Sequence, residues 1–291
     1  MFKHRLMSAS RQLTIVLVGQ LMALVFCSSP AWSLDSGWAE TEGGRMRLVV
    51  DPVPRTDGVI AGFLDIALDP GWKTYWLDPG SAGIPPMLDF SQSRGVAFEA
   101  MEYPPPVRVD DGYAIWAGYT APVQFPLTFH RTASGDVQIH ALAFIGICEK
   151  VCVPFQAELV VDLPAELIAQ DMVKPAVDNA FARLPETAGP DFNIEEAAFD
   201  VNRKQLTISA NLPAFRPSGA EPELFIAGPQ GYAFAPPHLS GDEDGLVTWS
   251  VHVESLPEAA ADNNTLPLDL VVTLGQRAIG QSVSVDLAAQ N

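Results

Sequence analysis

The sequence predicts an all-β protein: two immunoglobulin-like β-sandwich domains joined by a short amphipathic helix. Three observations lead to this prediction. Short apolar strands recur between turn signals, the chain contains 25 prolines and 22 glycines, and helical periodicity is confined to one segment. Strands of this length and spacing are typical of antiparallel sandwiches, and so many turn-forming residues disfavour a helical bundle.

Residues 1–33 have the pattern of a secretory signal peptide. A basic start precedes an apolar run over residues 13–26, and small residues then allow cleavage after Ser33. The run is shorter than the roughly 20 residues that a membrane-spanning helix needs. We therefore predict export to the periplasm, with Cys27 removed together with the signal. An uncleaved anchor helix is the alternative.

The charge of the chain excludes some classes of partner. The sequence has 17 basic and 35 acidic residues, a net charge of −18. Because residues 1–33 contain three basic and no acidic residues, the mature chain has a charge of −21. Such a surface repels nucleic acid and anionic lipid, so no nucleic-acid partner is expected. No later segment has 18 uninterrupted apolar residues, which predicts a soluble mature protein.

The first predicted domain covers residues 34–163, and its strands follow from runs of β-prone residues bounded by turns. In the first strand, apolar side chains alternate with polar ones, as expected where one face is buried. The predicted strands are Arg45–Val53, Val59–Leu68, Thr74–Trp76, Leu88–Phe90, Ala97–Tyr103, Gln124–His130, Val137–Ile145 and Ala157–Leu163.

A helical linker is predicted over residues 164–190, and a second sandwich over residues 191–291. Apolar residues recur at steps of three and four between Leu167 and Leu184, which indicates an amphipathic helix with a kink at Pro175. The strands predicted after it are Asn193–Phe199, Gln205–Asn211, Glu223–Ala227, Tyr232–Ala235, Leu246–Val253, Leu266–Leu274 and Ser282–Asp286.

Cys148 and Cys152, separated by three residues, are the one constellation that predicts chemistry. Four steps of extended strand would separate their Cα atoms by about 13 Å. A disulfide needs them within about 7 Å, so the chain must turn between them if they are bonded. Exactly two mature cysteines in an exported protein fit a compartment where disulfides persist.

The spacing leaves a redox role and a structural role equally open. A structural disulfide that closes a loop of about five residues stabilises a fold by roughly 2 kcal/mol, compared with nearly 5 kcal/mol for a 100-residue loop. Two buried thiols are a third possibility, and binding of Cu(I) with His130 or His140 is a fourth. Nothing in the sequence places either histidine beside the cysteines, so we assign no metal site and no cofactor.

Several segments in a fixed order carry a family resemblance. They are Gly71–Pro86 (GWKTYWLDPGSAGIPP), Tyr103–Pro106 (YPPP), Gly118-Tyr119 and Gly146–Pro154 (GICEKVCVP). Together they resemble the amino-terminal periplasmic domain of DsbD-type thiol:disulfide interchange proteins, in the branch that includes ScsB-like proteins. The resemblance covers roughly residues 40–163.

The resemblance implies a thiol:disulfide oxidoreductase with Cys148 and Cys152 as its catalytic pair and Cys152 as the cysteine that engages partners. Its electron source would be a thioredoxin-like or DsbD-like membrane redox protein. Its targets would be disulfide-containing periplasmic proteins, including those of cytochrome c maturation. The membrane and thioredoxin-like domains that often follow in the family are absent here, so the source is expected to be a separate protein.

The resemblance also implies a cap loop that shields the cysteine pair and contacts partners. It corresponds to Asp110, Asp111, Gly112 and Tyr113. Gly112 stands where better-known members have a shielding aromatic residue, so either Tyr113 shields the pair or the capping is weaker. The aromatic residues Trp72, Tyr75 and Trp76 are predicted to pack in the core. The alternative is that they line the end of the sandwich that faces partners.

Two other kinds of function remain open at this point. One is a non-catalytic periplasmic binding module, in which the disulfide is structural and the acidic second domain binds a partner. The other is a copper-binding or copper-stress protein, suggested by the ScsB-like resemblance.

Overall fold

The computed structural model describes residues 34–55, 58–80, 82–163, 173–257 and 265–287. The predicted signal peptide and the first part of the predicted helix lie outside the described residues. Within that part of the chain almost every element is a strand, which confirms the all-β, immunoglobulin-like fold class. No helix in the same ranges is long and apolar enough to cross a membrane.

Eleven strands precede the helix and form two sheets that face each other. Sheet 1 has the order β1-β2-β3-β9-β6, and sheet 2 has the order β11-β10-β4-β8-β7 with β5 paired to β10. The strands are β1 (Ala39–Thr41), β2 (Gly44–Val50), β3 (Val59–Leu68), β4 (Lys73–Gly80), β5 (Met87–Asp89), β6 (Val96–Met101), β7 (Val107–Asp110), β8 (Ile115–Tyr119), β9 (Val123–Arg131), β10 (Val137–Cys148) and β11 (Cys152–Leu163).

The alternation of side chains along these strands places the first core between sheets 1 and 2. In β2, Met46, Leu48 and Val50 are fully buried. In β10, every second residue from Val137 to Ile147 is buried in the same core. Since successive side chains of a strand point to opposite faces, the residues between them, including Gly146 and Cys148, belong to the outer face of sheet 2.

The helix covers the outer face of sheet 1. Helix α1 (Lys174–Phe181) buries Val177 and Ala180, which pack with Val49 and Phe63 of that sheet. It therefore forms part of the packed structure around the first sandwich, with Pro175 in its first turn, where a proline is tolerated.

The remaining strands form a second pair of sheets with their own core. Sheet 3 has the order β12-β20-β19-β15, and sheet 4 has the order β13-β14-β18-β16 with β17 paired to β18. The strands are β12 (Glu186–Thr187), β13 (Asn193–Asp200), β14 (Gln205–Asn211), β15 (Glu223–Ala227), β16 (Ala233–Phe234), β17 (His238–Glu243), β18 (Leu246–Ser255), β19 (Thr265–Leu274) and β20 (Arg277–Asp286). The domain boundaries themselves stay a prediction.

Sheet 3 also contributes to the first core. Phe225, Ala227, Val271 and Ala278 belong to sheet 3 and pack in the same cluster as Trp76 and Ala117 of sheet 2. The inner face of sheet 2 is thus covered partly by sheet 1 and partly by the second sandwich.

Candidate redox site

The cysteine pair lies at the end of a long hairpin made by β10 and β11. Cys148 and Cys152 are the last paired residues of this hairpin, and their Cα atoms are 4.1 Å apart. Residues 149–151 form the turn between them, and the two sulfurs are joined in a disulfide. The chain therefore turns between the cysteines, as the bonding distance requires.

The two sulfurs differ in their surroundings. Cys148 is 1% exposed, whereas Cys152 is exposed to solvent. The turn presents Val151, which is 75% exposed, next to Cys152. A thiolate that approaches from solvent would therefore meet Cys152 first, and Cys148 would be the leaving group.

Tyr75 contacts both sulfurs. Lys73 of β4 pairs with Cys148 of β10, so Tyr75, two residues further along β4, lies on the same face as the disulfide. Its hydroxyl donates to Cys148 Sγ at 3.0 Å and lies 3.3 Å from Cys152 Sγ. Burial, with a smaller contribution from the Asp111 carboxylate, raises the pKa of Tyr75. The phenol therefore keeps its proton at neutral pH and remains a donor.

The ring of Tyr75 is held in a narrow slot. The ring of Trp116 meets it edge-on, with ring centres 5.9 Å apart. A Cβ atom on Gly83 would lie 2.7 Å from Tyr75 Cδ1, and one on Gly146 would lie 3.2 Å from Tyr75 Cδ2 and 2.7 Å from the Ile84 side chain. A contact under 3.0 Å forces the neighbouring atoms to move. A Cβ at position 83 would therefore displace the ring, and one at position 146 would displace Ile84 and crowd the ring.

The predicted cap loop is organised by Asp111. One carboxylate oxygen accepts hydrogen bonds from the backbone N–H groups of Tyr113 and Ala114. The other accepts from Lys73 Nζ at 2.7 Å and Trp116 Nε1 at 3.1 Å. The hydrogen bonds from Lys73 and from the backbone N–H groups of Ala114 and Tyr113, in that order, hold the pKa of Asp111 well below its usual range. The carboxylate thereby links the loop to β4 and β8, the strands that carry the contacts of the disulfide.

The other predicted cap-loop residues make local contacts or face solvent. The Asp110 carboxylate accepts from the N–H of Gly112, whose positive φ of 79° suits a turn glycine. The side chain of Tyr113 is 98% exposed, so it does not cover the disulfide in this structure. The residues that pack with Cys148 are instead Tyr75 and Trp116.

Lys73 and Trp116 were not predicted at the site, and Tyr75 was considered there only as the alternative to core packing. Tyr75 and Trp76 were both predicted to face the core, but adjacent strand residues point to opposite faces. Trp76 packs in the core and Tyr75 faces the disulfide. The alternation of faces along Lys73-Thr74-Tyr75-Trp76 could have predicted that Tyr75 and Trp76 lie on opposite faces of the sheet.

Neither histidine considered for copper lies beside the cysteines. His130 is in sheet 1, with Nε2 2.8 Å from a Glu99 carboxylate oxygen. His140 is eight residues before Cys148 on β10, a separation of about 27 Å along a strand. Within the described ranges, no group of three or more His, Cys, Asp or Glu residues is placed to hold a metal ion.

Comparisons with known proteins agree with the motifs. Residues 50–164 match the family described as "Thiol:disulfide interchange protein DsbD, N-terminal". The fold is similar to the crystal structure of the N-terminal periplasmic domain of ScsB from Proteus mirabilis, with a TM-score of 0.66 and 22% sequence identity. That similarity covers 87% of this chain and 98% of the other. No curated protein matches the chain.

Proposed function

Residues 50–164 form a DsbD-type amino-terminal domain, a thiol:disulfide interchange module, and from this premise we propose that the chain relays electrons between periplasmic proteins through Cys148 and Cys152. The observation that carries the proposal is the asymmetry of the disulfide. One sulfur is exposed for attack, and the other is buried beside a hydrogen-bond donor.

Reduction of the pair follows two exchange steps. A thiolate of a reduced dithiol partner attacks Cys152 Sγ, the Cys148–Cys152 bond breaks, and Cys148 leaves as a thiolate. The second partner thiol then attacks the mixed disulfide and releases Cys152. The partner becomes a disulfide and two electrons, balanced by two protons, have moved to the cysteine pair.

Tyr75 supports the first step. As the Cys148–Cys152 bond breaks, negative charge develops on Cys148 Sγ, and the Tyr75 hydroxyl already points at that atom. A hydrogen bond to a charged acceptor is roughly twice as strong as a neutral one. The hydrogen bond from Tyr75 is therefore stronger after the disulfide is cleaved than before, which favours Cys148 as the leaving group.

The partners proposed are a thioredoxin-like or DsbD-like membrane redox protein as the electron source, and periplasmic disulfide-containing proteins as acceptors, those of cytochrome c maturation among them. A periplasmic location fits the charged and apolar pattern of residues 1–33. The exposed Val151 beside Cys152 offers a small apolar contact for a docking protein.

Single-cysteine variants test the relay. Each of Cys148→Ala and Cys152→Ala, with Cys27→Ser in both, is mixed with a single-cysteine thioredoxin activated as its thionitrobenzoate disulfide. We expect Cys148→Ala, which keeps the exposed sulfur, to form the covalent adduct at least about tenfold faster than Cys152→Ala. Equal rates, or no adduct with either variant, would contradict the proposal.

The reduction potential distinguishes a redox-active disulfide from a structural one. In glutathione redox buffers we expect the wild-type pair to have a potential above about −300 mV, the range of exchangeable disulfides. A potential far below that value would identify a structural disulfide and refute the relay.

A further inference from the structure

The strands that carry the redox site have a second face that contacts the second sandwich. In the β7–β8 hairpin, Val109 pairs with Trp116, and Arg108 pairs with Ala117. Val109 and Trp116 lie on the face that packs with Tyr75 and Cys148. Arg108 and Ala117 lie on the opposite face, because side chains alternate along each strand.

Arg108 joins this opposite face to β15 of the second sandwich. Its Nη2 donates to the backbone carbonyl of Leu224 at 2.6 Å, and its guanidinium lies 4.7 Å from the centre of the Phe225 ring. The same ring meets Trp76 of β4 edge-on at 5.9 Å. Phe225 thus contacts β4 through Trp76 and β7 through Arg108.

The charge of Arg108 lies in a partly buried contact. Burial lowers the pKa of Arg108, and the carboxylates of Glu223 and Asp78 oppose that shift. Across the boundary between the sandwiches the guanidinium meets a carbonyl acceptor, an aromatic face and the Glu223 carboxylate, and on its own side it meets the Asp78 carboxylate.

The hairpin needs such a support because β7 is the last strand of sheet 2. Its strand neighbour is β8, and its tip is the cap loop held by Asp111. The residues of the edge strand β7 are exposed or only partly buried, so its pairing with β8 can open locally at low free-energy cost. Opening would move Val109 away from Tyr75 and Cys148 and loosen the packing of Trp116, its partner on β8.

We propose that the second sandwich braces the cap-bearing β7–β8 hairpin, with Arg108 as the positioning residue that keeps Cys148 covered. The inference rests on the proposed function in one respect: it assigns the second sandwich the role of controlling access to the redox pair. The physical claim, that contacts across the boundary keep a buried sulfur buried, is independent of any partner.

The test measures access to each cysteine in the reduced full-length protein. Arg108→Met keeps the length of the side chain but removes its donors and charge. Iodoacetamide labelling, resolved by peptide mass spectrometry, should be about tenfold faster at Cys148 in this variant, the factor expected when a hydrogen bond to a charged group is lost from the closed state. Labelling at the exposed Cys152 should not change.

Arg277→Met is the matched control. Arg277 also lies over a phenylalanine, at 5.3 Å from the Phe192 ring, and pairs with Glu186, but all of these groups belong to the second sandwich. We expect its labelling rates to equal those of the wild type. Amide hydrogen exchange across residues 107–119 should accelerate in Arg108→Met and stay unchanged in Arg277→Met.

Phe225→Leu provides a second route if Arg108→Met does not fold. It removes the ring beneath the guanidinium while keeping an apolar side chain, so the same increase at Cys148 is expected. The proposal that the second sandwich supports the hairpin would be overturned by a folded variant of either kind that leaves two quantities unchanged. These are the labelling rate at Cys148 and the amide exchange in the hairpin. Failure of the adduct and potential measurements would instead overturn the relay, since labelling requires no redox partner.

Discussion

Replacement of Tyr75 by phenylalanine tests whether its hydroxyl stabilises a thiolate in the reduced site. The variant removes the donor that lies 3.0 Å from Cys148 Sγ and 3.3 Å from Cys152 Sγ, and keeps the ring that packs against Trp116. A hydrogen bond to a charged acceptor contributes about 1.5–3 kcal/mol, and one to a neutral acceptor about 0.5–1.5 kcal/mol.

The difference between these two contributions is about 1–1.5 kcal/mol. It is the extra stabilisation that the hydroxyl gives to a thiolate compared with a thiol. Since 1.36 kcal/mol corresponds to one pKa unit, the first thiol pKa of the reduced pair should rise by about one unit in Tyr75→Phe. The assay is the rate of iodoacetamide labelling at each cysteine across about pH 5 to 10, because only the thiolate reacts.

Tyr119→Phe is the control for this measurement. The Tyr119 hydroxyl is also buried and donates to the Pro104 carbonyl at 2.7 Å, so its loss costs about 1 kcal/mol of stability without removing a contact to sulfur. An unchanged thiol pKa in folded Tyr75→Phe, or an equal shift in Tyr119→Phe, would refute the argument.

Two further predictions concern the loop and the slot around Tyr75. The pKa of Asp111 is lower in the folded protein than in the unfolded chain, where it is about 3.9. The ionised carboxylate therefore stabilises the predicted cap loop fully above that pH. This stabilisation is lost as the pH falls through the lower pKa of the folded state. In the wild type, amide exchange in residues 110–114 should therefore stay slow down to about pH 4. In Asp111→Asn, it should be fast already at neutral pH. Equal protection in the two proteins would contradict this prediction. Gly146→Ala should lower the free energy of unfolding in urea by about 1–3 kcal/mol, because its Cβ would meet Ile84 and the Tyr75 ring. Gly135→Ala, where a Cβ would meet nothing within 4 Å, is its control, and equal losses would show that the slot is not tight.

Strands with strong local patterns were predicted closely. The predicted strands Val59–Leu68, Gln205–Asn211 and Glu223–Ala227 have the same bounds as β3, β14 and β15. The first and third are largely apolar runs, and the second alternates apolar and polar residues. The signals that define all three lie within a few positions of each other.

The β7–β8 hairpin was missed, and it is the element that carries the cap loop. Its strands have four and five residues, and Asp111 and Gly112 between them suggest a turn without indicating the strands on either side. Their extended conformation depends on pairing between the two strands, on β4 and on the contact of Arg108 with the second sandwich. None of these partners is local in sequence.

The sequence by itself determined the fold class and the requirement for a turn between Cys148 and Cys152, and its motifs identified the family of the first sandwich. Periodicity and bond geometry suffice for the first two, because they involve only neighbouring residues. The tertiary structure decided which sulfur is exposed, that the buried one contacts the Tyr75 hydroxyl, and that Arg108 contacts the second sandwich. Tyr75 and Cys148 are 73 positions apart, so their contact exists only because the register between β4 and β10 sets them on one face. Sequence neighbours do not encode that register; the packing of the whole sandwich selects it.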